Sequence, residues 1–373
     1  MKPATEGKNL RKLRILVAPL DWGLGHATRC IPIVHELLRL DCEVWLAGEG
    51  PQELLLKTEF PALPFLNLEG YRIRYGRSSF GMIWNILSQA GRIVRAIGHE
   101  NKWWKKMVVE YGFDAVISDN RYGLYHANVP CVFITHQLRI KSSLGKWSER
   151  MLQKRNYKYI SRFTECWVPD EEGEDNLAGE LSHPGNKPKT LIRYTGPVSR
   201  FNYISDKPLE GSGVLIILSG PEPQRTILEN KVIRDIAHYP GTATIVRGLP
   251  GNATLIPSTN QIKFYNHLPA EKLNSEMSSA EYIISRSGYS TIMDITKLRK
   301  KSILIPTPGQ TEQEYLAKYL HKKKIALSID QNSFSLPAAL QSAKSFVYTQ
   351  ANIGNTNILH HVVSLFIHSL IKH

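Results

Sequence analysis

Cysteine is scarce in this chain. The four present among 373 residues (Cys30, Cys42, Cys131 and Cys166) form no C-x-x-C pair, which argues against a disulfide framework or a zinc site and fits a reducing, cytoplasmic compartment. Long apolar runs are lacking too. Nothing approaches the ~20 residues that span a bilayer, and residues 1–14 hold no run of signal-peptide length. Low-complexity segments, short-period repeats and any Asp-x-Asp metal motif are absent, and so are the patterns of RNA-recognition, KH and zinc modules. No metal, no cofactor and no nucleic-acid partner are therefore expected. Acid is in short supply: 33 Asp and Glu oppose 47 Lys and Arg, a net charge of +14. Such a surface attracts phosphorylated substrates, anionic membrane or nucleic acid, which composition alone does not separate.

The remaining composition, 42% hydrophobic and 21% charged, is that of an ordinary globular protein long enough for two cores. Short apolar runs alternate with helical stretches. Strands are read at Arg14–Ala18, Glu43–Ala47, Asp114–Ser118, Cys131–Thr135 and Glu165–Val168, with a helix over Ala27–Leu40. The pattern pauses at Thr195-Gly-Pro-Val-Ser-Arg-Phe201 and restarts with Val214–Leu218, the strongest strand signal. Ala243–Val246, Tyr282–Ser285, Ser302–Ile305 and Ala326–Ser328 follow. This alternation predicts an α/β protein with two Rossmann-like doubly wound domains facing across a cleft. The expected division is 1–197, a linker over 198–212, 213–349, and a last helix in 350–373.

Ligands of doubly wound sheets bind beyond the C-terminal ends of the strands, and four loops there carry unusual residues. Asp21-Trp-Gly-Leu-Gly-His-Ala-Thr-Arg29 opens the first helix, where Gly23 and Gly25 admit close backbone approach and His26 stands either as a functional group or as a helix cap. A dinucleotide motif would need a third glycine where Thr28 stands, although Glu49 could imitate its ribose-binding acid. Ser219-Gly-Pro-Glu-Pro-Gln-Arg225 follows the strongest strand, and Ser219 and Gly220 could present backbone N–H groups to a diphosphate. In Ser285-Arg-Ser-Gly-Tyr-Ser-Thr-Ile-Met-Asp294, Arg286, Ser287, Gly288, Ser290 and Thr291 suit phosphate at a helix start, and Asp294 one turn on suits ribose hydroxyls; plain capping is the alternative. In Pro306–Glu314, the residues Gln310, Gln313 and Glu314 are of the type that reads sugar hydroxyls.

Read together, the last two loops resemble the C-terminal domain of family 28 glycosyltransferases, which include the N-acetylglucosamine transferase of peptidoglycan lipid-precursor synthesis. The match runs from about Val214 to Lys324 and rests on Arg286-Ser-Gly288, Asp294 and Gln313. Asp294 stands where the family usually has Glu, and the Ser219 loop has less glycine than is usual. In the first half the likeness rests on the glycine loop ending in His26 and on Thr135-His-Gln137, where the family has an acid after the histidine. The resemblance implies the GT-B fold, a UDP-sugar donor, an inverting reaction without metal, and a C-terminal segment that crosses back onto the first domain. The acceptor hydroxyl, on a lipid-linked or other glycan, must lose its proton to a base near the cleft. His26 is the first candidate, because histidine titrates near neutrality; Asp119 and His136 are the reserves. A UDP-sugar epimerase on the same scaffold is the alternative.

Residues 71–106 hold Arg72, Arg74, Arg77, Arg92, Arg95, Lys102, Lys105 and Lys106 against Glu100 alone. Among them Ile83, Ile86, Leu87, Ile93 and Ile97 fall mostly at helical steps, with Trp84, Trp103 and Trp104 nearby. This pattern predicts an interfacial helix on an anionic membrane surface; an apolar stripe packed on the first sheet is the competing reading.

Overall fold

The computed structural model describes residues 11–72, 79–142, 144–201, 213–249, 254–352 and 357–372, with the backbone alone over 79–90. The first domain runs β1 (Arg14–Pro19), α1 (Leu24–Arg39), β2 (Glu43–Gly48), α2 (Gly50–Glu59), β3 (Phe65–Asn67), α3 (Ser79–Tyr111), β4 (Ala115–Asp119), β5 (Cys131–Ile134), α4 (Lys146–Ile160), β6 (Glu165–Val168) and β7 (Leu191–Tyr194). The second runs β8 (Val214–Ile217), α5 (Gln224–Ile236), β9 (Ala243–Val246), β10 (Ile262–Tyr265), α6 (Ala270–Ser279), β11 (Tyr282–Ser285), α7 (Tyr289–Lys297), β12 (Lys301–Leu304), α8 (Thr311–Lys322), β13 (Leu327–Ser328) and α9 (Leu336–Ser345). The helix α10 (Ile358–Ile371) closes the chain.

Both sheets are parallel. One has the order β3-β2-β1-β4-β5-β6-β7 and the other β10-β9-β8-β11-β12-β13, so the strand order reverses between β1 and β4, and again between β8 and β11. Parallel strands are covered on both faces, and the side chains of β1 divide accordingly. Ile15 and Val17 pack with α1 and with Val362, Val363, Phe366 and Ile367 of α10. Leu16 and Ala18 face the opposite side, with Trp104 and Met107 of α3. In the second sheet, Val214 and Ile216 of β8 meet α5 and α9, while Leu215 packs toward Met277 and Ile295.

Among the contacts that join the domains are the last helix and the turn after β6. α10 lies on the first sheet, with Phe366 edge-on to Trp167 of β6 at 5.6 Å. After β6, the buried Asp170 accepts backbone N–H bonds from Leu177 (2.7 Å) and Ala178 (3.0 Å). That turn drives Leu177, Ala178 and Leu181 into the apolar side of α7 and α8.

For 71–106 the competing reading, an apolar stripe packed on the first sheet, fits the residues whose side chains are described. Trp104 is fully buried, Ile97 and Met107 nearly so, and Trp104 rests on Phe113 at 5.5 Å. The described part of the α3 stripe is core, because its helix covers the first sheet. Glu100 is buried as well, bonded to Arg121 (2.8 Å), Tyr71 (2.8 Å) and the Gly123 amide (2.6 Å). Arg74 and Arg77, and the side chains of Ile83, Trp84, Ile86 and Leu87, lie outside the described residues. No helix among the described residues is long and apolar enough to cross a membrane.

Candidate functional site

The two reversals of strand order face each other, and the predicted loops sit at them. In the first domain, Gly23 starts α1 in the left-handed region (φ 73°), which turns the chain sharply from β1 into the helix. His26 is then three residues into the helix region, and α1 has no side-chain cap, so the capping role considered for His26 is ruled out. Its Nδ1 lies 2.8 Å from Asp119 Oδ1. Arg29, one turn on, donates through Nε to Asp119 Oδ2 at 2.7 Å and through Nη2 to Oδ1. Asp119 ends β4 with no exposure. Burial pushes its pKa up, but Arg29 and then His26 more than offset this and hold it down at about 2. A carboxylate so placed accepts only. At 2.8 Å it therefore takes the Nδ1 proton of His26. Arg29 Nη2, 3.1 Å from the same nitrogen, donates to Asp119 and not to the ring, and Nε2 is left as the imidazole's lone-pair nitrogen.

His136 is bound on both sides. Arg29 Nη1 lies 3.5 Å from its Nδ1, and its Nε2 is 2.7 Å from Glu312 Oε1 of α8, across the cleft. With Arg29 as donor at one nitrogen, the other carries the proton and donates to Glu312. The ring stacks on Tyr289 of α7 at 4.3 Å and 12°. A second crossing joins Ser290 Oγ to the Gly25 carbonyl at 3.0 Å. A Cβ on Gly25 would stand 2.9 Å from that hydroxyl, so glycine is what admits the approach.

In the second domain Arg286 is the hub. Its guanidinium is buried and donates to the carbonyls of Ile305 (3.2 Å), Pro306 (3.3 Å) and Gln224 (2.7 Å), and to Gln331 Oε1. Burial alone lowers its pKa, to about 10. Among the described residues its Nε has no partner, nor has the buried hydroxyl of Thr307. Both atoms face Gly220: a Cβ there would lie 3.4 Å from Thr307 Oγ1 and 3.8 Å from Arg286 Nε. Gly220 has φ 100°, and Ser219 beside it is exposed.

The other expected donor residues have mixed placements. Ser287 Oγ donates to the Gln313 carbonyl (2.8 Å). Gln313 Oε1 accepts from the Thr307 amide (3.0 Å), and its Nε2 donates to Gln310 Oε1. Glu314 Oε1 accepts from the Gly309 amide (2.8 Å). These three side chains thus order the 306–310 turn at the mouth of the site. Gly288 precedes α7 with φ −69°, a conformation open to any residue, and Thr291 on the first turn is half-buried. Asp294 Oδ1 accepts from Ser199 Oγ at 2.6 Å. Burial raises its pKa to about 6, against the Ser199 hydrogen bond and the Arg200 charge.

Two expectations are corrected. Glu49 is no ribose-binding acid: it accepts from the Gly70 amide (2.8 Å) and pairs with Arg72 (2.8 and 3.0 Å). Asp119 is unsuited as a base, being inaccessible and held as a carboxylate by a buried guanidinium. Sequence reasoning passed over Arg29, Thr307 and Glu312. Arg29 carried a local signal, since i and i+3 share a helix face with His26; Thr307 and Glu312 gain their meaning only from contacts between distant segments.

Comparison with known proteins finds similar glycosyltransferases. Residues 256–352 match the model of the glycosyltransferase family 28 C-terminal domain. An uncharacterized glycosyltransferase of Methanosarcina acetivorans is 24% identical, over 81% of this chain and 82% of its own. The UDP-N-acetylglucosamine--N-acetylmuramyl-(pentapeptide) pyrophosphoryl-undecaprenol N-acetylglucosamine transferase of Listeria monocytogenes is 20% identical, over 90% of this chain and 91% of its own. The crystal structure of the glycosyltransferase SnogD from Streptomyces nogalater superposes with a TM-score of 0.61 at 13% identity, covering 96% of this chain and all of that one. These relatives lend no support to the epimerase alternative. The chain thus has the GT-B fold, and it is similar to family 28 glycosyltransferases, whose C-terminal domain its residues 256–352 match.

Proposed function

We propose that the chain moves a sugar from a UDP-sugar to an acceptor hydroxyl with inversion and without a bound metal, the acceptor being a lipid-linked or other cell-envelope glycan presented at the cytoplasmic face of a membrane. The observation that carries the donor reading is the hollow at Gly220. There a guanidinium N–H and a hydroxyl, both buried and both without a partner among the described residues, converge beside a glycine whose missing side chain leaves room. Buried donors without partners are costly, and a diphosphate oxygen would satisfy both. Asp294, one turn into α7, would accept from the ribose hydroxyls, and Gln310, Gln313 and Glu314 line the mouth where the sugar would lie.

The reaction forms a bond from acceptor oxygen to anomeric carbon and breaks the bond from that carbon to the diphosphate. His26 Nε2 takes the acceptor proton, while Asp119 holds the opposite nitrogen and stabilises the imidazolium. His136, with both nitrogens bonded, serves to position Arg29 and Glu312. The departing negative charge falls on Arg286 Nε–H, Thr307 Oγ–H and the backbone N–H groups after β8. Base and leaving group lie in different domains, on opposite sides of the anomeric carbon, which yields inversion. The printed name of the Listeria relative, with a UDP donor and an undecaprenol-linked acceptor, supports the choice of nucleotide and acceptor class.

A thermal-shift panel of nucleotide sugars tests the donor. A donor at 100 times its Kd adds about 2.7 kcal/mol, so UDP-sugars should raise Tm clearly and Asp294→Ala should remove most of the rise. A panel in which no nucleoside diphosphate stabilises the protein would overturn the assignment.

A further inference from the structure

The chain crosses from the first domain to the second over a short segment anchored at both ends. After β7, the amides of Thr195 and Gly196 donate to the carbonyls of Val168 (2.9 Å) and Asp170 (3.1 Å). Gly196, in the left-handed region at φ 68°, then turns the chain. Val198 enters the first core beside α10, whereas Phe201 lies in the second core with Leu215 and Ile295. Ser199 and Arg200 bridge these two anchors, and the bridge runs along α7. The Val198 amide donates to Met293 Sδ at 3.3 Å, and Ser199 Oγ donates to Asp294 Oδ1 at 2.6 Å. The Phe201 amide donates to the same Ser199 oxygen at 3.1 Å. An amide gives a proton and a carboxylate takes one, so the serine hydroxyl passes the bond in one direction, from Phe201 to Asp294. Among the described residues the other carboxylate oxygen, Oδ2, has no hydrogen bond.

We propose that Ser199 is a positioning residue for the donor: it seats the interdomain crossing on the carboxylate that the ribose uses, so that nucleoside diphosphate binding and the crossing's hold on α7 reinforce each other. This rests on Asp294 as the ribose-binding acid. A hydrogen bond to a carboxylate is stronger than one between neutral groups. With Oδ1 turned to Ser199, Oδ2 is kept for a ribose hydroxyl. Both bonds need the same ionised, same oriented carboxylate, so each raises the population that the other requires, and the coupling is mutual. The surrounding charges act on the same group. Burial raises the Asp294 pKa to about 6, against the Ser199 hydrogen bond and then the Arg200 charge. Burial in turn lowers the pKa of Arg200, against the charges of Asp294 and of Glu59 on α2. Its guanidinium lies over the Phe201 ring at 4.9 Å. His267, after β10, is held below its ordinary pKa by burial and then by Arg200. Lys297, three residues along α7, is lowered by burial and opposed by Glu171. Ser199 is thus the one neutral group among these that hydrogen-bonds the carboxylate itself.

The test is titration of the full chain with UDP between pH 5.5 and 8, beside hydrogen exchange of the 195–201 segment with and without UDP. Ser199→Ala should weaken UDP binding about three- to tenfold at pH 7. It should also move the midpoint of the pH dependence upward, because removing a bond to the charged form raises the acid's pKa. Ser199→Thr, which keeps the hydroxyl, should restore both. UDP should slow exchange at the Val198 and Phe201 amides in the wild type and leave it unchanged in Ser199→Ala. A lower urea midpoint in Ser199→Ala with unaltered UDP affinity and pH midpoint would make the contact structural only and overturn the proposal. Tighter UDP binding by that variant, the mark of a hydroxyl that competes with ribose, would overturn it too, as would exchange in the wild type that ignores UDP. Weakened binding by Asp294→Ala beside normal binding by Ser199→Ala strikes the role of Ser199 alone. Asp294→Ala binding UDP as tightly as wild type, or a wild type that binds none, strikes the ribose reading and the proposal with it.

Discussion

Arg29 and Arg286 are two buried arginines at the two reversals of strand order, and they differ in what neutralises them. Arg29 meets Asp119 through two nitrogens. Burial would lower its pKa, but the carboxylate outweighs that and holds it above its ordinary value. Arg286 meets only carbonyl oxygens and a glutamine, and burial pulls it down to about 10. Carbonyl dipoles orient a guanidinium without cancelling its charge. The first domain therefore closes its own electrostatics around a histidine that can exchange a proton. The second leaves positive charge uncompensated beside an open glycine. One side is suited to a neutral hydroxyl acceptor, the other to an anionic donor.

The sharpest way to test that division is kinetic. His26→Ala should bind donor normally and transfer roughly 10²–10⁴-fold more slowly, the range for losing a general base; near-wild-type turnover would remove His26 from the mechanism. The next test sets the two arginines side by side. Arg29→Met strands a buried carboxylate and should cost about 3–5 kcal/mol in urea unfolding. Arg286→Met removes a charge-assisted contact and should weaken UDP binding by about 1.5–3 kcal/mol, with a smaller effect on the urea midpoint. If Arg286→Met unfolds as readily as Arg29→Met and still binds UDP as wild type, the contrast collapses.

Asp294 offers a pH test of the same side. Its folded pKa, raised to about 6 by burial, lies above its ordinary value of 3.8, so the folded state favours the protonated acid. Its carboxylate form thus opposes folding at neutral pH, and that penalty fades as pH falls below 6. Donor binding runs the other way, since ribose hydroxyls donate to the carboxylate. UDP affinity should decline as pH falls from 7 through 6, and Asp294→Asn should flatten that slope. An identical slope in the mutant would exclude Asp294 from the donor site.

How much of this was legible beforehand depended on burial. Strands at the sheet centres, such as Arg14–Pro19, Val214–Ile217 and Tyr282–Ser285, announced themselves as apolar runs because both their faces are covered. The three strands that were missed, Phe65–Asn67, Leu191–Tyr194 and Ile262–Tyr265, are all edge strands. They are short and half-exposed, and two of them carry a cation in mid-strand, so no apolar run appears. The glycine loops and His26 could be found because special backbone geometry needs special residues. Asp119 could be found as a strand-end acid, but its role could not: whether a carboxylate is a base or a buried partner depends on Arg29 and on solvent exclusion. Over 71–106 periodicity gave a stripe whose described members, Ile93 and Ile97, pack against the first domain, and periodicity alone does not say which medium covers an apolar face.

The smallest expected effect is the most specific. Thr307 sits in the quoted 306–314 loop, yet threonine in a turn gives no sign that its hydroxyl will be buried without a partner. Thr307→Val keeps the shape and removes only that hydroxyl. Where a buried hydroxyl is bonded, the change costs stability; where it has no partner, nothing is lost, and the apolar replacement is neutral or slightly stabilising. If the hydroxyl instead donates to the donor diphosphate, UDP binding should fall by about 0.5–1.5 kcal/mol, roughly two- to twelvefold in Kd. Isothermal titration beside urea unfolding of the same variant reads both quantities. Weaker UDP binding at unchanged or higher stability is the signature of a group kept for its ligand. Lower stability at unchanged affinity would make Thr307 a packing residue and leave the hollow at Gly220 with Arg286 alone.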